Sequence, residues 1–443
     1  MTKMMSQGAL PWSSTRVRAA VALLPLLTFA ELLALGANGP VLAVLAAMAE
    51  IAAALLVLLL LWPGATFWRA AAPGLIALGL VVLWGLVPVL APDVTPTPDL
   101  ALPGFVRLAG GAAMLMAAGI VGHRRGLARR AVDWLVLLGI LQMLIGLMAR
   151  QIDPSSVFGY DKSITGLRFS GTMINANASG CVAAVTTVLA FGRVQALLRD
   201  GPARSLKAAL ARIGCVLGVL LGLGVITISG SRAGLTLALV ALAVMVLRDT
   251  VVRRALGRGR GLAFLFGTAA LAILLGSLLG ATAIHRFVTL GDDSFDRIAI
   301  WRHYAALARA APTFGYGLIG FEEMNRATLH SAAEAFSFWY INSAHNSLIE
   351  MVLEGGWPYA VLLSGTVLLM FVVALRGLKR QDDPVVRAAF VGLAIIGAAS
   401  TVDITLDVPA IVTLGAVLLG LLWGRGLRAS ARRDQEPGWR GRD

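Results

Sequence analysis

The chain has 443 residues, of which 58% are hydrophobic, with a mean hydropathy of +0.80 and a formal net charge of +14. Soluble domains are only about half apolar, so this composition excludes a water-soluble fold and points to a membrane protein. In such a protein a positive balance is first a topology signal, because Lys and Arg gather on the cytoplasmic side, so nucleic acid is not an expected partner.

Membrane-length apolar runs recur along the chain at 17–36, 40–62, 72–90, 104–122, 131–148, 173–191, 210–227, 233–247, 262–284, 356–375, 386–401 and 410–423. Since about 20 apolar residues cross a bilayer as a helix, these predict an all-α polytopic membrane protein of about 12 transmembrane helices. The first run lacks a small-residue cleavage site and leads directly into the second, so it reads as a retained helix. Basic clusters at 123–130, 193–212, 248–260, 376–387 and 425–442 follow every second span; with the N-terminus and Arg69 they hold 28 of the 38 Lys and Arg residues. That pattern places both termini in the cytoplasm. Cys181 and Cys215 fall inside spans, so no disulfide framework is implied.

The connections assigned to the other side are polar: 93–103, 150–172, a tight turn at 229–234, and 402–409. One is much longer. From 285 to 344 no run is long enough to cross a membrane, and a loop of that length in a compact protein suggests local folding or function. The whole chain, 1–443, is therefore read as one integral membrane domain with the 285–344 loop inside it. Within the loop, residues 296–311 have the spacing of an amphipathic helix, with Ser294 as its N-cap and Pro312 as its stop. Gly315, Gly317 and Gly320 mark turns. A second helix is predicted to begin at 342–345, to turn Leu348, Met351 and Val352 inward, and to end or break at Gly355-Gly356.

Arginines that persist on the disfavoured side call for anionic partners. Arg168 lies in Arg168-Phe169-Ser170-Gly171-Thr172, just before a span that opens with Asn175 and Asn177; these asparagines either cap that helix or bind a polar ligand. Arg232 lies in the turn Ser229-Gly230-Ser231-Arg232-Ala233-Gly234, where snorkelling to lipid phosphate is the plainer alternative. Arg297 and Trp301 are four residues apart on the loop helix with Arg302 beside them, a pattern that also fits an interfacial helix. Arg286, Arg309 and Arg326 read as solvated surface. His345, in Ser343-Ala344-His345-Asn346-Ser347, precedes a helix whose positive end favours a neutral imidazole, able to take a proton from a hydroxyl. Glu350 and Glu354 continue that helix and read as structural carboxylates. The remaining histidines, His123, His285, His303 and His330, have no ligand spacing, and no Walker loop, paired-cysteine motif or dinucleotide fingerprint is present, so neither metal nor cofactor is expected. Arginines that bind phosphate bidentately, together with one histidine at the membrane boundary, suit glycosyl transfer from a lipid diphosphate.

The same residues carry a family resemblance. The Arg168-Phe-Ser-Gly-Thr stretch with Asn175 and Asn177, the Ser231-Arg232-Ala-Gly turn, Arg297 with Trp301, Pro312-Thr-Phe-Gly-Tyr-Gly, and His345-Asn-Ser-Leu-Ile-Glu through Glu354-Gly-Gly resemble the O-antigen ligase and polymerase superfamily in order and spacing. The resemblance spans roughly 168–359; Ala176 stands where family members often carry proline. It implies an inverting, metal-independent glycosyltransferase of the bacterial inner membrane, with its active site at the periplasmic face and the 285–344 loop periplasmic. The donor would be an undecaprenyl-diphosphate-linked glycan and the acceptor lipid A–core or another glycan. By the same resemblance Arg168, Arg232 and Arg297, with Asn175, Asn177 and Arg302, look like substrate-binding residues and His345 like the catalytic base. An O-antigen ligase is the leading reading, a polymerase the nearest rival, and a lipid-glycan transporter or flippase the reading of another class.

Overall fold

A computed structural model describes residues 14–162, 168–203, 205–250, 290–379 and 382–433. Helices occupy eleven of the twelve predicted spans: α1 Thr15–Leu33, α2 Pro40–Leu60, α3 Ala65–Leu90, α4 Pro98–His123, α5 Leu127–Ile152, α6 Ala176–Arg199, α7 Leu206–Ser229 and α8 Arg232–Arg248, then α12 Ser347–Lys379, α13 Pro384–Ser400 and α14 Pro409–Arg433. The twelfth, 262–284, lies outside the described residues, as do His285 and Arg286. The loop contributes α9 Leu290–Arg309, α10 Phe321–Thr328 and α11 Ala332–Phe338.

Eight of these helices, α2 to α7, α12 and α14, are long and apolar enough to cross a membrane. The other three fall short for plain reasons: α1 carries Arg16, Arg18 and Glu31, while α8 and α13 have 17 residues each. Outward-facing Val41, Leu59, Leu83 and Leu368 are each more than half exposed, the surface expected of helices solvated by lipid. At the centre, α6 and α14 are packed on all sides, with 78% and 83% of their apolar windows buried against 22% for α12.

Small residues bring α4 and α14 to backbone contact. A Cβ on Gly424 would sit 2.0 Å from the Gly119 carbonyl oxygen, and one on Gly122 would sit 2.2 Å from that of Leu421. Where lipid tails are as apolar as the side chains, such close approach is what helix association rests on.

The 150–172 connection holds a two-stranded hairpin that the sequence reading did not foresee. Strand β1 (Ser156–Val157) pairs antiparallel with β2 (Tyr160–Asp161). Phe158 and Gly159 between them have φ of 50° and 84°, the pair of positive values a tight hairpin turn requires.

Two loop expectations are corrected. Helix α9 starts at Leu290, so Ser294 lies inside it and is not its N-cap; the helix does end before Pro312. Helix α12 starts at Ser347, capped by Asn346, whose Oδ1 accepts from the backbone N–H of Leu348 and Ile349. Leu348, in the first turn, is 55% exposed, while Val352, one turn on, is buried. The break at Gly356 is present, with φ 79° and ψ 170° inside α12.

Candidate active site

Five separate segments meet at one end of the bundle. The first is the strap 168–175, which is fastened before it reaches the site. Phe169 is buried, and Thr172 donates to the Leu32 carbonyl at 2.7 Å while accepting from Gln142 Nε2 at 2.8 Å. Gly171, at φ 62°, lets the strap pass against α5, where a Cβ on Gly146 would come 2.7 Å from the Gly171 Cα. Asn175 ends the strap as the N-cap of α6, accepting from the N–H groups of Asn177 and Ala178. Ala176 occupies the first helical position, where proline's missing donor would cost nothing. The helix start is thus the same with either residue.

Arg168 binds on two sides. Its guanidinium donates to the Ser229 carbonyl at 2.8 and 3.1 Å and to Asn177 Oδ1 at 2.8 Å. Ser229 ends α7 in the second segment, the 229–232 turn, where Gly230 is left-handed and Ser231 Oγ caps α8 by accepting from Gly234 N–H. Arg232 begins α8 immediately after the turn that Arg168 grips.

The centre of the site is Asp403, in the fifth segment, the connection between α13 and α14. Its side chain is 5% exposed. Oδ2 accepts from Asn177 Nδ2 at 2.7 Å and from Arg297 at 3.2 Å, and Oδ1 accepts from the Ile404 N–H at 2.9 Å. His345 Nδ1 is buried 3.8 Å from Oδ1, beyond hydrogen-bond length. Burial alone would raise the Asp403 carboxyl, but the adjacent His345 and Arg297 hold it below the ordinary aspartate range. Arg168, Asn177, Asp403 and Arg297 thus form one continuous chain of hydrogen bonds.

Trp301, on α9 in the third segment, turns inward, not toward lipid: its Nε1 donates to the His345 carbonyl at 3.2 Å. In the fourth segment the His345 N–H donates to Ser343 Oγ at 3.1 Å, and Ser343 in turn donates to Glu350 at 2.8 Å. These bonds hold His345 at φ 51°, a left-handed conformation costing about 1–3 kcal/mol in a non-glycine residue. Asn346 Nδ2 donates to the Thr401 carbonyl at 3.0 Å and ties the turn to α13.

Two glycine motifs latch together beside this turn. Tyr316 N–H donates to the Leu353 carbonyl at 2.7 Å and Gly317 N–H to that of Glu354 at 3.0 Å, using acceptors left over where α12 breaks. A Cβ on Gly356 would lie 2.0 Å from the Thr313 carbonyl oxygen, and one on Gly315 would lie 2.4 Å from the Glu354 backbone. Trp84 closes the latch, stacking on Phe314 with centroids 4.5 Å apart and donating to the Gly355 carbonyl at 3.0 Å.

The predicted residues are thus sorted. The structure brings together Arg168, Asn177, Arg297 and His345, gives Asn175 the capping role, and sets Arg232 next to the Arg168 contact. Arg302 is exposed on α9 and is not part of this chain of hydrogen bonds; Arg309 and Arg326 are on the surface, the latter paired with Glu322 at 2.8 Å. Asp403 was not singled out from sequence, although an aspartate in an eight-residue connection between apolar spans is a visible signal. Arg107 was missed as well; it sits within α4 and donates to the Asp407 carbonyl at 3.4 Å. Among the described residues, no group of three or more His, Cys, Asp or Glu is arranged to hold a metal ion.

No curated protein matches the chain at a significant level. Residues 217–364, which include Arg232, Arg297, Arg302 and His345, match the family model described as O-antigen ligase (Wzy_C).

Proposed function

We propose that the protein is an inner-membrane glycosyltransferase that moves a glycan from undecaprenyl diphosphate onto lipid A–core oligosaccharide at the periplasmic face, with both termini cytoplasmic. The observation that carries this reading is the convergence of Asn177, Arg297 and His345 on the buried carboxylate of Asp403, with Arg168 joined to it through Asn177. Guanidinium groups bind phosphate bidentately, and Arg168, Arg232 and Arg297 are the residues assigned to the diphosphate, with the exposed Arg302 as a further candidate.

His345 Nδ1 faces Asp403, so Nε2 is the atom assigned to take the acceptor hydroxyl proton. As that proton arrives the imidazole becomes cationic, and the Asp403 carboxylate stabilises the charge while fixing the ring. The hydroxyl oxygen then displaces the lipid diphosphate at the anomeric carbon. Attack opposite the departing diphosphate inverts that centre, and arginines stabilise the charge released on the leaving group.

The test is purified protein with a defined lipid-linked donor and acceptor. His345→Ala is expected to abolish transfer while donor binding survives; full turnover in that variant would remove the imidazole from the mechanism. In cells lacking the gene, lipopolysaccharide with no capped core supports the ligase, whereas core bearing a single repeat supports a polymerase.

A further inference from the structure

Behind the turn that carries His345 lies a group of buried polar side chains to which the transfer step assigns no role. Ser343 and Glu350 are both buried. Ser343 Oγ accepts from the His345 N–H at 3.1 Å and donates its own hydrogen to Glu350 Oε2 at 2.8 Å. The Glu350 N–H donates in turn to the Asn346 carbonyl at 3.0 Å, so its side chain and its backbone grip the turn on either side of the imidazole. The residue so gripped is the one held at φ 51°.

A second acid reaches the same hydroxyl. Asp407, four residues beyond Asp403, lies within hydrogen-bond reach of both Ser343 and Glu350. Ser343 has one hydrogen and gives it to Glu350, and Asp407 Oδ2 is buried without a hydrogen-bond partner. The other groups that face the pair come from three directions. Arg107 on α4 faces Asp407 and donates to its main-chain carbonyl at 3.4 Å, and Glu354, one turn along α12, faces both acids. The Tyr304 hydroxyl on α9 faces Glu350 but donates to Asn325 at 2.8 Å, while His345 faces Asp407 with its Nδ1 turned to Asp403. Two carboxyls in such contact cannot both be ionised, and a proton between them replaces repulsion with a hydrogen bond. Burial lifts Asp407 to about 6 against the pull of Ser343 and Arg107, in the direction that keeps this proton.

We infer that Glu350 is a positioning residue for the reaction: through Ser343 it fixes the turn that aims His345, and it does so as half of a carboxyl pair that holds one proton with Asp407. The proton lets Glu350 accept from Ser343 while the two acids stay in contact. It also keeps a second full negative charge from the back of the turn, so that Asp403 remains the carboxylate facing the imidazole. The sign of the pH dependence follows. The turn is tight while the pair keeps its proton and slackens as pH rises and the proton is lost, because two anions then press apart. The effect on turnover rests on the glycosyl-transfer reading; the hold on His345 does not.

The experiment uses the full chain in phosphatidylcholine nanodiscs. Glu350→Ala removes the acceptor, and kcat is expected to fall about ten- to a hundredfold while the donor KM stays fixed, the loss of one strong hydrogen bond behind the imidazole. Ser343→Ala should give a similar fall, and the double variant no more than the larger single one, because both cut the same line. Glu350→Gln keeps an acceptor for Ser343 and puts an N–H in place of the shared proton. It should recover most of the rate and flatten the decline in kcat that the parent shows from about pH 6 to 9. Additive losses, a parent with no such decline, or a Gln variant as slow as the Ala variant overturn the proposal. A second readout needs no turnover: the rate at which diethyl pyrocarbonate modifies His345, followed by mass spectrometry of its peptide, should change in Glu350→Ala and return toward the parent rate in Glu350→Gln. An unmoved rate in Glu350→Ala overturns the positioning role. A changed rate in a protein that transfers no glycan would sink the reaction but keep the hold on His345.

Discussion

Helices α6 and α13 each join two polar clusters, one at either end of the bundle, and the clusters are built on opposite accounting. At the basic end, where α6 finishes and α13 begins, Arg199 pairs with Asp249 and Asp382 at 2.9 and 2.8 Å, and Arg387 pairs with the same two at 3.3 and 3.1 Å. Arg425 joins Asp383 at 3.3 Å, and Arg193 joins Asp133 at 2.8 Å. Each of these arginines has an acid. At the other end, roughly 30 Å away along α6 by helical rise, Asp403 accepts from Arg297 and, through Asn177, is joined to Arg168, with His345 beside it. The first cluster pairs ions directly; the second links them through an amide and an imidazole.

Substitutions can break that contrast. The largest effect is expected from Asp403→Asn, which keeps the shape but removes the charge facing His345. Turnover should fall on the order of a hundredfold or more, as where an imidazole loses its orienting carboxylate. Near-normal turnover would show that Asp403 merely braces the loop.

Asp249→Asn is the matching change at the basic end. The Asp249 side chain is fully buried between two arginines, so its loss should destabilise the fold by about 3 kcal/mol, with kcat unaltered in protein that remains folded. A fall in kcat comparable to that of Asp403→Asn would erase the distinction between the two ends.

Gly356→Ala tests the latch. With φ at 79° and the Thr313 carbonyl in the way, an added methyl should cost about 3 kcal/mol in thermal unfolding and displace the start of α12. An unchanged melting curve would mean the break is not needed.

The smallest effect is in pH dependence. Burial raises Asp407 to about 6 despite the Ser343 hydroxyl and Arg107, with Glu350 and His345 also facing it. An acid whose folded value lies above its unfolded one favours the fold below the ordinary aspartate range near 4, and that favour is lost as pH rises through about 6. Asp403, held low, acts in the opposite sense: its contribution is complete above the ordinary range and is lost as pH falls through its folded value. Melting temperature followed from pH 4 to 7 should therefore decline less in Asp407→Asn than in the parent; identical slopes would exclude Asp407 as the titrating group.

Much of this was legible beforehand because membrane helices write themselves as long apolar runs, and eleven of the twelve expected segments are helical. Glycine motifs were legible for a related reason: a break at Gly356 needs only local chemistry to be foreseen. Asp403 was not, because what makes it central is its meeting with Asn177, 226 residues away, and Arg297, 106 residues away, and no local pattern records such a meeting. For Trp301 two readings stood open, a motif partner of Arg297 and an interfacial anchor. Its indole fits a lipid interface by composition, and only the fold supplies the His345 carbonyl as its acceptor. Leu348 was expected inward with Val352, four residues on along the same side of the helix, but it stands in the first turn of α12 and is 55% exposed.

The latch between Tyr316–Gly317 and Leu353–Glu354 has a consequence for how such a loop can diversify. Both ends of the stretch carrying α10 and α11 are moored by main-chain bonds, which no side-chain replacement removes. The moorings enclose His345 as well, so the part open to exchange is α11, none of whose residues is buried; altering it changes what approaches the imidazole from outside while its footing on Trp301 stays in register.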